Sequence, residues 1–198
     1  MFRSDHKPIL LTHGGPLDKA VVESVWPTTD DSNFREVLGM QLLKDALSIM
    51  LTESVRQKLG DSYGVSVASN MSDIFKGYGY LSAAAVVAPD KADEVEKAIG
   101  DAVAELRTKP ISEDLMARAR NPELESADRL LRDNGYWVAI LSKAQSDPEK
   151  LDRARQRKAI LQAITPAELQ KLAQKYLQPD RVQQVKIVSS KLTETAMR

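Results

Sequence analysis

The chain has 198 residues, of which 42% are hydrophobic and 28% charged, enough for one globular domain that buries on the order of 70% of the surface its unfolded form exposes. Its 28 basic side chains balance 28 acidic ones, so there is no net field to attract nucleic acid or an anionic membrane, and neither partner is expected. The absence of cysteine excludes disulfides, thiolate catalysis and thiolate-bound zinc, and fits a reducing or an oxidising compartment equally.

The N-terminal stretch MFRSDHKPILLTHGG holds an apolar run of only Ile9 to Leu11, too short for a signal-peptide core or a membrane span. No signal peptide or membrane-spanning segment is expected, and the compartment stays open between periplasm and cytoplasm for a bacterial protein. Residues 20–26, AVVESVW, are rich in β-branched and aromatic side chains and stop at Pro27, which predicts a strand. From Phe34 to about Lys58, Gln41, Lys44, Asp45, Ser48 and Thr52 fall on one narrow stripe and apolar residues fill nearly everything else, as in a helix buried on most of its circumference. Gly60 is placed to end that helix, and Tyr63 to Met71 alternates as a strand does. Lys76 to Val87, after the turn MSDIFKG, predicts a second strand and an antiparallel hairpin.

Asp90 can cap a helix that runs with 3-4 apolar spacing to Pro110, and Ser112 can cap the next, with a break or kink expected at Asn121-Pro122. Asn134-Gly135 precedes a short apolar helix over Tyr136 to Ala144, and Asp147-Pro148 opens another through Ala163. Thr165-Pro166-Ala167-Glu168 is a capping box for a helix reaching Leu177, and Arg181 to Val188 predicts a last strand, with a tail from Ser189 on. Trp26 and Trp137 are assigned to the core. This order of elements predicts an α+β two-layer sandwich, a mostly antiparallel sheet covered on one face by helices. One domain spans residues 8–190, with tails at 1–7 and 191–198.

Gly60-Asp61-Ser62-Tyr63-Gly64 fits the G-x-S-x-G pattern of a serine hydrolase, but such an elbow needs a strand before it, a helix after it and a histidine downstream. Here the long helix comes first, and the two histidines, His6 and His13, both lie upstream. Ser62 reads as a residue of a helix-to-strand turn, and His13-Gly14-Gly15 as a turn before a strand. The two histidines are seven residues apart in a stretch with no helical signal, so no peptidase zinc site is expected in this chain.

The run LTESVRQKLGDSYGVSV, closing the long helix and entering the hairpin, resembles the non-catalytic half of pitrilysin-type zinc metallopeptidases, the family of insulysin and mitochondrial processing peptidase. Gly14-Gly15 with the strand ending Val25-Trp26-Pro27, then GYGYLSAAAVV, PISEDLMARAR, DNGYWVAIL and TPAELQKLAQKYLQPDR follow in that family's order, over roughly residues 8–190. The resemblance implies the fold shared by LuxS and mitochondrial processing peptidase. It also implies a peptidase of two similar halves closing like a clamshell, in one chain or as a heterodimer. One half carries the zinc motif H-x-x-E-H; the other lacks it and supplies an arginine and a tyrosine seven residues apart. Arg56 and Tyr63 have that spacing.

By this resemblance the chain is the substrate-binding, non-catalytic half of a zinc endopeptidase, inactive alone, with no cofactor of its own and zinc in the partner half. Tyr63 would lie near the scissile carbonyl and Arg56 would hold the peptide. Read from the residues alone, an arginine at a helix C-terminus can simply complement the helix dipole, and a tyrosine opening a strand can be core with a wet tip. Gly77, Tyr78, Gly79 and Tyr80 are candidate peptide-lining residues, the tyrosines on one face of their strand and the glycines on the other. The alternative is a proteolytically silent structural or assembly subunit of the same fold.

Overall fold

In the computed structural model, residues 6–59, 64–142 and 144–191 are described. Five strands form one sheet: β1 (Ile9–His13), β2 (Ala20–Thr28), β3 (Val65–Met71), β4 (Gly79–Val87) and β5 (Gln183–Ser189), in the order β1-β5-β2-β4-β3. Every pairing is antiparallel except β1 with β5. The helices are α1 (Phe34–Leu59), α2 (Ala92–Thr108), α3 (Glu113–Leu130), α4 (Asn134–Leu141), α5 (Glu149–Ala163) and α6 (Pro166–Tyr176). The fold is therefore the expected α+β sandwich.

Strand alternation sets the two faces of the sheet. Ala20, Val22, Ser24 and Trp26 of β2 are buried, while Val21, Glu23 and Val25 between them are only partly so. Val22, Trp26, Leu81, Ala83, Ala85 and Val87 join Leu38, Leu42, Leu43, Leu47 and Leu51 of α1 and Val95, Ile99 and Leu106 of α2 in one core. Trp26 is in the core as expected.

α1 is more enclosed than its sequence suggests. From Glu36 to Thr52 no residue is exposed, because β3 lies on one side and α2, α3, α5 and α6 surround the rest. Several polar side chains of α1 find partners inside this enclosure. Gln41 accepts from Arg157 Nη2 at 2.9 Å, the Glu36 carboxylate accepts from Lys175 and from the Tyr176 hydroxyl, both at 2.6 Å, and the Thr52 hydroxyl donates to Ser48 O at 2.7 Å. At Gly39 an added Cβ would stand 2.5 Å from Leu172 Cδ1, so the leucine side chain of α6 packs into the space that glycine leaves.

Local signals account for most helix starts. Ser112 Oγ accepts from Leu115 N at 3.1 Å, and Thr165 and Glu168 form the reciprocal capping box. Four expectations change. Asp90 caps nothing: it lies inside a single 3-10 turn, Pro89–Lys91, that leads straight into α2. α3 runs through Pro122 without ending, since Met116 and Ala119 before it and Ala127 after it are all buried and hold both segments in place. The last strand extends to Ser189, whose buried hydroxyl donates to Gly15 O at 3.2 Å, so the tail starts later than expected. Trp137 is half-buried on α4, outside the core, with its indole N–H donating to Leu131 O at 2.9 Å.

β1 is a strand that the sequence reading did not find. Pro27 falls inside β2; pairing with β5 ends at Val25, so beyond it β2 bonds a neighbour on one side only, where a residue without an N–H is tolerated.

Asp45 on α1 is half-buried, with Oδ1 2.7 Å from Lys44 Nζ and Oδ2 without a hydrogen-bond partner. Burial raises its pKa above the ordinary 3.8, against the opposing pull of Lys44 and with some help from Glu123. A raised folded-state pKa contributes stability below the unfolded pKa and loses it as pH rises through the folded value. Asp45→Asn is therefore expected to stabilise the fold at pH 7 and to give no gain near pH 3, measured by urea denaturation at both pH values.

Candidate functional site

Arg56 belongs to the last turn of α1, and β3 begins at Val65, so the segment that carries the predicted pair connects a buried helix to a sheet edge. The Arg56 side chain, Ser62 and Tyr63 lie outside the described residues. The order of elements is clear all the same: helix, connection, strand. A nucleophile elbow requires the reverse. β3 is the last strand of the sheet and its outer edge has no partner strand among the described residues.

The hairpin beyond β3 is tightly specified. Ser72 Oγ accepts from Ile74 N at 3.1 Å and Phe75 N at 2.8 Å, Tyr78 N donates to Phe75 O, and Ser72 N donates to Tyr78 O. Gly77 sits at φ +67°, a left-handed conformation suited to glycine, and its N–H donates to Asp30 Oδ2 at 2.5 Å. Hydrogen bonds from the Ser32 side chain, then Gly77 N–H and Ser32 N–H, hold the Asp30 carboxyl below its ordinary pKa. Asp30 and Ser72 were not found from sequence, although Asp and Ser at turn starts are the residues that bond their own backbone in this way.

The four candidate peptide-lining residues do not share one strand. β4 starts at Gly79, so Gly77 and Tyr78 are in the turn and only Gly79 and Tyr80 are in the sheet. A Cβ at Gly79 would come within 2.2 Å of Thr29 O and 2.7 Å of Asn70 O. The close backbone approach that a strand glycine permits is thus made here by the chain itself. Tyr80 stands opposite Pro27 on β2 and Asn70 on β3.

The sheet face turned away from the helices is graded. Register places Leu11, Ile187, Val21 and Val86 in one transverse row across four strands. Towards the hairpin tip the rows become polar or small, through Ala68 and Ser82 to Asn70 and Tyr80.

Both ring nitrogens of His13 are engaged by backbone groups. His13 Nδ1 accepts from Gly15 N at 2.9 Å, which leaves the proton on Nε2, 3.1 Å from Lys19 O; both nitrogens serve the β1–β2 turn. No group of three or more His, Asp or Glu side chains arranged to hold an ion occurs among the described residues. No described helix is long and apolar enough to cross a membrane.

Comparison with known proteins now decides the family. The family described as peptidase M16 inactive domain matches residues 3–122, well over half of the sequence. The chain belongs to that family. Its fold is close to that of the periplasmic protease PqqL from Escherichia coli, with TM-score 0.77 and 15% identity over 95% of this chain and 21% of that one. A peptidase M16 inactive domain from Pseudomonas fluorescens gives TM-score 0.73 and 16% identity over 92% of this chain and 43% of that one. A mutant of the ferredoxin protease FusC in complex with Arabidopsis ferredoxin gives 0.73 and 16%, over 92% and 20%. The chain thus spans less than half the length of each of these three proteins. Among curated proteins, none matches this sequence.

In this M16 inactive domain the tight contacts at Gly79 make a direct forecast. Gly79→Ala should force β2 and β3 apart at the hairpin base and cost about 1–3 kcal/mol, as overpacking against backbone does. Denaturant titration of the variant beside the parent checks it.

Proposed function

We propose that this M16 inactive domain is the substrate-binding half of a zinc-dependent endopeptidase, cleaving peptides in a chamber closed by a half that bears H-x-x-E-H. The observation that carries the reading is the match of residues 3–122 to the inactive-domain family. Residues 8–190 act as one domain. The partner half is a segment of the same longer chain or a separate subunit, and zinc belongs to it.

Within this half, Arg56 and Tyr63 are the substrate-contacting pair. A guanidinium offers five fixed donors, suited to the carbonyls of an extended peptide or to a carboxylate. A phenol can donate one hydrogen bond to the oxyanion that forms as the peptide carbonyl is attacked, a donor that counts most in the transition state. Their position supports this: the connection that carries them starts on a helix enclosed by the core and ends on an edge strand, so both ends are fixed by the scaffold. Tyr80, beside Asn70 at the polar end of the open sheet face, extends the peptide-lining surface, with Gly77, Tyr78 and Gly79 at the adjoining turn. The binding of ferredoxin by FusC, a protein of similar fold, is consistent with a polypeptide substrate.

Mixing this chain with the H-x-x-E-H-bearing half should produce chelator-sensitive cleavage of an unstructured peptide, while neither chain cleaves alone. Cleavage by this chain alone, in pure form, would refute the division of labour. In the assembled enzyme Tyr63→Phe should lower kcat by roughly 10²–10³, the usual cost of one oxyanion donor; an unchanged kcat removes Tyr63 from the mechanism. An assembled pair that neither binds nor cleaves peptide would point to a silent assembly subunit.

A further inference from the structure

Helix α4, with the sequence NGYWVAIL, differs from the other described helices: it carries no charged residue and none of its residues is buried. Val138 and Leu141 are 68% and 57% exposed, and Leu131, just ahead of the helix, is 42% exposed. Its own propensity does not explain it. Glycine, tyrosine, tryptophan, valine and isoleucine are weak helix formers, and eight residues fall short of the roughly 12–15 at which even good sequences become marginal in water. Within this chain it is held by the Asp133 carboxylate accepting from Tyr136 N at 2.7 Å, by the Trp137 indole bond to Leu131 O, and by packing onto α5. These fix one end and one side, and leave an apolar surface in water.

We propose that α4 is a docking helix whose apolar side seats against the H-x-x-E-H-bearing half; this inference rests on the two-half reading above. Two observations favour that occupant. In three proteins of similar fold the region equivalent to this chain is 20% to 43% of the polypeptide, so it is joined there to more chain than it contains. A second copy meeting α4 to α4 would bury too little: eight residues make a rod about 12 Å long and about 10 Å across, well below the roughly 800 Å² per partner of a stable interface. The helix fits as one anchor within a broader contact.

The test uses the H-x-x-E-H-bearing half as a separate polypeptide. Amide hydrogen exchange over Asn134–Leu141 is followed in the free and the assembled chain, and affinity is measured by calorimetry for the parent and for the double variant Val138→Lys, Leu141→Lys. Exchange over α4 should slow about tenfold or more on assembly, and the variant should bind about tenfold or more weaker, as when an apolar anchor is lost. Both positions are exposed, so the free variant should unfold at the parent's temperature; if it does not, the exchange measurement on the parent decides alone. Unchanged exchange with a complex that still cleaves peptide overturns the docking role and leaves the two-half reading intact. Failure of the parent halves to associate overturns both. Self-association of the free chain that the variant abolishes, or co-sedimentation with phosphatidylcholine–phosphatidylglycerol vesicles, assigns α4 to another occupant and also overturns the proposal.

Discussion

The architecture depends on one helix being enclosed from all sides. An α-helix ordinarily keeps a polar stripe towards water, but α1 has β3 on one side and four helices around the rest, and no exposed residue between Glu36 and Thr52. This is possible because the stripe is narrow and other polar groups of α1 reach the surrounding helices: Gln41 bonds to Arg157, and Glu36 to Lys175 and Tyr176. At Gly39 the missing side chain leaves space that the Leu172 side chain of α6 fills. Two connections flank α1. At one end the Asp30 carboxylate and Asp31 N–H tie the β2–α1 connection to the β3–β4 turn, and at the other lies the connection into β3.

Much of the fold was legible where the information is local. The 3-4 spacing of α2, the reciprocal cap of α6 and the alternation of β3 each lie within a dozen residues, and each element formed where expected. Three of the misses are cases where distant contacts decide. β1 is five residues that become a strand because β5 lies beside them. Pro122 is tolerated because packing on both sides outweighs one missing hydrogen bond. Tyr78 and Gly77 looked like strand and form a turn, because Asp30, over forty residues earlier, captures the Gly77 N–H.

The candidate site was legible in a different sense. Arg56 and Tyr63 stand out only through the ordered resemblance; their spacing alone is equally that of a helix terminus and a strand start. What the fold adds is context, since these positions frame the passage from an enclosed helix to an edge strand. Trp137 was misjudged by an ordinary rule: large apolar residues are placed inside by default, and a helix that stays at the surface defeats it.

The β1–β5 pairing carries a consequence for how the protein is made. It unites the two ends of the chain: Gln183 donates to Lys7 O across 176 residues, and Ile9 pairs with Val185. Contacts of such separation incur the largest loop-closure entropy and form late. The three antiparallel strands β2-β4-β3 can assemble with α1 while the ribosome is still adding the later helices, but the outer β5 and β1 positions stay vacant until residue 189 has emerged. During that interval the outer flank of β2 offers unpaired peptide groups to any passing strand, so synthesis leaves this fold open to misassociation at its β2 edge.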